Sequence, residues 1–86
     1  MNDANNIWIV RASYIKEYEI ELEFNNGVSG MVDLKDDLDQ PVFEPLKDFN
    51  YFKGFKLNSW TIEWGNGADF APEFLYEKVN STVSWP

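Results

Sequence analysis

The sequence predicts an α+β domain: a small antiparallel sheet of about four to five strands, short helical turns in the middle and one C-terminal helix. Three observations predict it. Residues 17–24 alternate glutamate with an apolar residue, a period of two that marks a strand with one wet and one buried face. Residues 60–76 run through a strand pattern, a glycine turn and a proline-started helix. The chain has 86 residues, enough for a single domain with one core. Its ordered part is expected at about 7–79, with polar ends at 1–6 and 81–86.

Ile7, Trp8, Ile9 and Val10 are β-branched or aromatic, so residues 7–14 read as the first strand. In the next, Tyr18, Ile20, Leu22 and Phe24 form one face and Glu17, Glu19, Glu21 and Glu23 the other. Asn25, Asn26 and Gly27 then turn the chain into residues 28–34. Register decides the loop length. A two-residue loop would set Phe24 against Ser29 and Ile20 against Asp33. A three-residue loop sets Phe24 against Val28, Leu22 against Gly30 and Ile20 against Val32, which keeps the apolar faces together. Gly27 then takes the left-handed position of a type I turn with a G1 bulge. On the other face this register puts Glu17, Glu19, Glu21 and Glu23 opposite Lys35, Asp33, Met31 and Ser29.

Residues 35–40 form a charged loop, closed by Pro41. Residues 42–47 and 48–52 read as two short helical turns, the second capped by Asp48, with Phe43, Leu46, Phe49 and Phe52 on roughly one face. Residues 54–58 and 60–64 read as two short strands around Asn58 and Ser59; alternation turns Trp60, Ile62 and Trp64 inward and Thr61 and Glu63 outward. Pro72 suits the first helical position and Glu73 the positive end of the helix dipole. Phe74, Leu75 and Val79 are placed to pack back on the sheet.

Composition excludes several function classes. Without cysteine there is no disulfide and no thiolate chemistry, and without histidine the commonest general base and metal ligand are missing. A net charge of −8 opposes direct binding to nucleic acid or to anionic lipid, and favours a basic protein partner. No stretch has the apolar length of a membrane span and the N-terminus lacks a basic n-region, so a cytoplasmic location is expected. The 4 Trp, 4 Tyr and 7 Phe residues supply the apolar area that so short a chain needs.

Motifs with chemical content fail on spacing. Calcium loops starting at Asp33 or Asp37 would need glycine at their sixth position, which holds Leu38 or Val42. Gly65, Asn66 and Gly67 follow a strand as phosphate loops do, but Phe70 stands where the third glycine is required. Asp69, between that turn and the helix, is the carboxylate to single out, and its simplest role is to bond backbone amides. Neither a cofactor nor a metal site is expected.

Three segments carry a resemblance: the hairpin ending in Asp33 and Leu34; residues 42–52; and residues 62–76, where Trp64, Gly65, Asn66, Gly67, Ala68, Asp69, Pro72, Leu75 and Tyr76 form a spaced motif. Over roughly residues 7–79 the chain resembles the bacterial domain-of-unknown-function family 2442, with Gly65 where members commonly have proline. The resemblance implies a small α+β domain, found alone or ahead of a DNA-binding helix–turn–helix domain that no residues after 80 supply. It also implies a genetic neighbour that is another small protein, in a pairing suggested to be toxin and antitoxin.

Two expectations of function follow. The first is a non-enzymatic protein-interaction module, antitoxin-like or accessory, in which Glu17, Glu19, Glu21 and Glu23 or an adjoining sheet edge dock a basic neighbour; a homodimer through an edge or exposed aromatics is its variant. The other is a small-ligand or catalytic site near Asn66 and Asp69, beneath Trp60 and Trp64. In the first, Trp60, Trp64, Gly65, Asn66, Gly67, Asp69, Pro72 and Tyr76 are a folding device.

Overall fold

The computed structural model describes residues 7–83, with the side chains of 81–83 excepted. The expected N-terminal end at 1–6 and, of the expected tail at 81–86, residues 84–86 with Trp85 lie outside the described residues. Strands β1 (Ile9–Lys16), β2 (Glu19–Phe24) and β3 (Ser29–Asp33) form an antiparallel sheet with β2 in the centre. After a 3-10 turn at Lys35–Asp37 and a 3-10 helix at Pro41–Lys47 comes the one-turn helix α1 (Phe49–Phe52). Strands β4 (Lys56–Leu57) and β5 (Ile62–Glu63) pair with each other, and α2 (Pro72–Val83) closes the domain.

The α+β class matches expectation, but in place of one sheet of four to five strands the described residues form one sheet of three and one of two. β4 and β5, two residues each, pair with each other and not with the first sheet. Within the described residues, one backbone bond runs between the two segments, from Ile9 N to Trp60 O at 2.8 Å. The first strand also lies two residues later than residues 7–14, and α2 runs to Val83 rather than stopping near 79.

The β2–β3 hairpin adopts the register that apolar burial demands. Glu19 faces Asp33, Ile20 faces Val32, Leu22 faces Gly30 and Glu23 faces Ser29. Phe24 N donates to Val28 O at 2.8 Å and Gly27 N to Phe24 O at 3.0 Å, around Gly27 at φ +90°. Only glycine takes that angle without a Cβ penalty.

One hydrophobic cluster fills the domain. The inner faces of β1–β3 contribute Ile9, Ile20, Leu22, Phe24 and Val32; α2 contributes Leu75 and Val79; Leu46, Phe52, Ile62, Trp64 and Phe70 are among the residues that fill the space between. Helix α2 approaches β3 closely, for a Cβ on Gly30 would lie 2.7 Å from Val79 Cγ1. Lys78 on α2 pairs with Asp37 at 3.0 Å, tying the helix to the charged loop. Asp48 caps α1 as expected, its Oδ1 accepting from Asn50 N at 2.8 Å.

Several side chains depart from the expected faces. Trp60 is 61% exposed while Thr61 is buried. The cause is Asn58, whose Oδ1 accepts from both Trp60 N (2.7 Å) and Thr61 N (2.8 Å) and curls residues 58–61 out of the strand. Thr61 then donates its hydroxyl to Phe70 O at 2.6 Å. Phe49 is exposed and leans on Tyr18, because α1 is one turn long and cannot hold a three-residue stripe inward. Phe74 is partly exposed, extending a stack from Phe43 through Phe70 with Lys78 over its ring.

Candidate functional site

The glutamates of β2 stand on the outer face of the central strand, because their apolar neighbours Ile20, Leu22 and Phe24 are held in the core. Glu19, Glu21 and Glu23 share this face; Glu17 does not. Glu17 occupies the β1–β2 turn at φ +49°, a left-handed angle uncommon outside glycine, and its carbonyl accepts from the Tyr14 hydroxyl at 3.0 Å. The register shift between Tyr14 and Lys16 puts Lys16 opposite Glu19 and leaves Glu17 no strand partner.

β1 brings to this face residues outside the expected glutamate set. Arg11 lies opposite Glu23 and pairs with it at 2.6 Å; Ser13 lies opposite Glu21. On the other flank, β3 sets Ser29, Met31 and Asp33 beside Glu23, Glu21 and Glu19. The cations of the face, Arg11 and Lys16, thus stand on β1, while Glu19 and Glu21 on β2 and Asp33 on β3 form no ion pair among the described residues. Alternation of Arg11 and Ser13 was the available signal, but knowing that β1 pairs with β2 depends on strand order.

The second location, residues 60–76, is built as a turn. Trp64 N donates to Ala68 O and Gly67 N to Trp64 O, each at 2.9 Å, with Gly67 at φ +90°. This repeats the bonding of the first hairpin, including an asparagine whose Oδ1 accepts from the amide two residues on: Asn26 from Val28 and Asn66 from Ala68, both at 3.1 Å. The remaining amide groups tie each turn down. Asn26 Nδ2 donates to the Tyr76 hydroxyl at 3.0 Å and Asn66 Nδ2 to Val42 O at 2.9 Å. Trp64 is buried and donates Nε1–H to Phe52 O at 2.7 Å, whereas Trp60 packs edge-on against Trp8 at the surface. Asp69 is exposed and bridges Glu63 through the backbone, and Pro72 opens α2.

A cleft of about 470 Å³ lies beside this turn, between Tyr51 and Gly54 on one wall and Lys56, Glu63 and Gly65 on the other. Neither Asn66 nor Asp69 lines it. The acidic loop is not a converging ligand set: Asp33 Oδ1 accepts from Lys35 N at 2.9 Å and Asp37 is held by Lys78. Among the described residues no three acidic side chains gather as a metal would require, and no helix is long and apolar enough to cross a membrane.

Residues 9–81 match the family model described as "Protein of unknown function (DUF2442)". The chain belongs to the DUF2442 family. The match spans the whole β1–β3 sheet, both asparagine–glycine turns and most of α2, so the DUF2442 unit and the folded unit nearly coincide. No curated protein and no solved structure matches the chain. Within this DUF2442 protein the motif of residues 64–76 is accounted for by turn bonds, the buried Trp64 and the start of α2.

Proposed function

We propose that this DUF2442 protein is a non-enzymatic interaction module that binds a basic partner protein through the outer face of the β1–β3 sheet. One observation carries the reading. Glu19 and Glu21 on β2 stand beside Asp33 on β3, and among the described residues none of the three forms an ion pair, not even Glu19 with Lys16 opposite it. Three neighbouring carboxylates on a domain of net charge −8 attract a cationic surface and repel an anionic one. Such a face suits an antitoxin-like or accessory role beside a basic neighbour protein. Asn66 is a weaker candidate as a ligand site, since its amide is already engaged in its own turn.

The test is binding of a basic partner protein by titration calorimetry across a range of salt concentrations. Affinity is expected to fall steadily as salt rises, and to be lost when Glu19→Lys and Glu21→Lys are combined. A partner whose affinity ignores both salt and the double charge reversal would overturn the reading.

A further inference from the structure

The mode of docking can be taken further, on the reading that the acidic face is the partner's site. Phe24 N donates to Val28 O at 2.8 Å and Leu34 N to Tyr18 O at 3.0 Å, which fixes hydrogen-bonded pairs at both ends of the β2–β3 ladder. Antiparallel ladders alternate bonded and non-bonded pairs, so Leu22–Gly30 and Ile20–Val32 are the bonded pairs between them. Ser29, Met31 and Asp33 therefore aim their backbone N–H and C=O groups away from β2. Among the described residues, no backbone hydrogen bond from another element meets those groups.

The two edges of the sheet differ. β1 is irregular, with register shifts between Ile9 and Arg11 and between Tyr14 and Lys16, and its start is taken up by the bond from Ile9 to Trp60. Bulges of this kind blunt an edge against pairing. β3 has no register shift from Glu19–Asp33 to Glu23–Ser29, contains no proline, and exposes Ser29, Met31 and Asp33. Its inner side is held by Val79 of α2 against Gly30, so the strand is presented on a fixed support.

We propose that the basic partner docks by adding a strand to the free edge of β3. Side chains of an added strand alternate between faces. Those on the outer face fall beside Ser29, Met31 and Asp33, one strand spacing of about 4.8 Å from β3 and two from Glu19 and Glu21, within reach of long cationic side chains. The segment recognised is an extended peptide with Lys or Arg at alternate positions, a basic residue meeting Asp33, and small or apolar residues between. A second copy of the chain fits less well, since it brings Asp33, Glu19 and Glu21 of its own and a further charge of −8.

The probe is a capped peptide of about seven residues alternating lysine and valine, titrated into the full chain. N-methylation of one alternate set of its residues should weaken binding by at least about tenfold and methylation of the other set should not, because only one set turns its N–H groups toward β3. Met31→Pro removes an outward N–H and no bond to β2, so affinity should fall by a similar factor with little change in melting temperature. No peptide binding, or equal binding by both methylated peptides, overturns strand addition. Binding that survives methylation and Met31→Pro yet is lost with Glu19→Lys and Glu21→Lys leaves the acidic-face reading standing and removes this one. Binding that survives the charge reversal removes the acidic-face reading instead. Self-association that disappears in Met31→Pro, without peptide binding, assigns the edge to a second copy and overturns the basic partner.

Discussion

Gly30→Ala should destabilise the protein through a single contact. The added methyl would sit 2.7 Å from Val79 Cγ1, against the 3.5–4.0 Å at which carbon atoms rest, so about 1 Å must be found. Val79 cannot rotate away cheaply, because a β-branched residue in a helix keeps one strongly preferred rotamer. It is also buried, with neighbours on every side. The alternative is to lift α2 off β3, loosening Leu75 as well. Overpacking of this kind costs about 1–3 kcal/mol. For a domain of this size, each kcal/mol lowers the melting temperature by roughly 4–8 °C. Urea denaturation followed by circular dichroism measures it, and a double-mutant cycle with Val79→Ala assigns the cause. Val79→Ala alone should cost about 1.5–3 kcal/mol. The double variant should be more stable than the sum of the two losses by at least about 1 kcal/mol, since the alanine at 79 leaves room for the alanine at 30. Wild-type stability for Gly30→Ala, or losses that simply add, would refute the close approach.

Further outcomes are expected from the turns and the tryptophans. Gly67→Ala should cost about 1–2 kcal/mol because φ is +90° there, while Gly65→Ala, with ordinary space near Tyr51, should be close to neutral; thermal melts of the pair decide it. Glu17→Gly should stabilise by about 0.5–1 kcal/mol by relieving φ +49°, and a lower melting temperature would contradict that. Trp64→Phe strands the Phe52 carbonyl and opens a gap, for a loss of about 2–4 kcal/mol in urea, whereas Trp60→Ala should cost less than about 1 kcal/mol.

The hairpin was legible in the sequence because two independent constraints agree: the apolar set of β2 must face that of β3, and Gly27 supplies the one residue able to take φ +90°. The start of α2 was legible for a similar reason, with Pro72 and Glu73 both suited to a first turn. Trp60 was not, since alternation assumes an uninterrupted strand and the Asn58 carboxamide captures the next two backbone amides. Glu17 falls outside the face because a bulge at Ile15 adds a residue to β1 and sets Lys16 opposite Glu19, so the chain turns at Glu17 rather than pairing there. Of the candidate face, its glutamates were legible and its cations were not. Arg11 and Lys16 reach it through pairing of β1 with β2, which no local pattern states.

The distinction between groups already engaged and groups left open separates the family motif from the proposed binding edge. Asn66 bonds Ala68 N and Val42 O, Trp64 bonds Phe52 O, and the Tyr76 hydroxyl accepts from Asn26. A ligand that displaced one of these internal bonds would lose what the bond contributes, and at the buried Trp64–Phe52 bond a partner left unsatisfied costs about 1–3 kcal/mol. The edge groups of Ser29, Met31 and Asp33 carry no such penalty, because in the free protein they face water and exchange one hydrogen bond for another. Removal from water is then favoured by the added apolar contact over Met31 and by the attraction of Glu19, Glu21 and Asp33 for cations. The residues of the 64–76 motif are thus consumed in holding β5, the turn and α2 in place, and the docking proposed above uses instead the regular edge of β3.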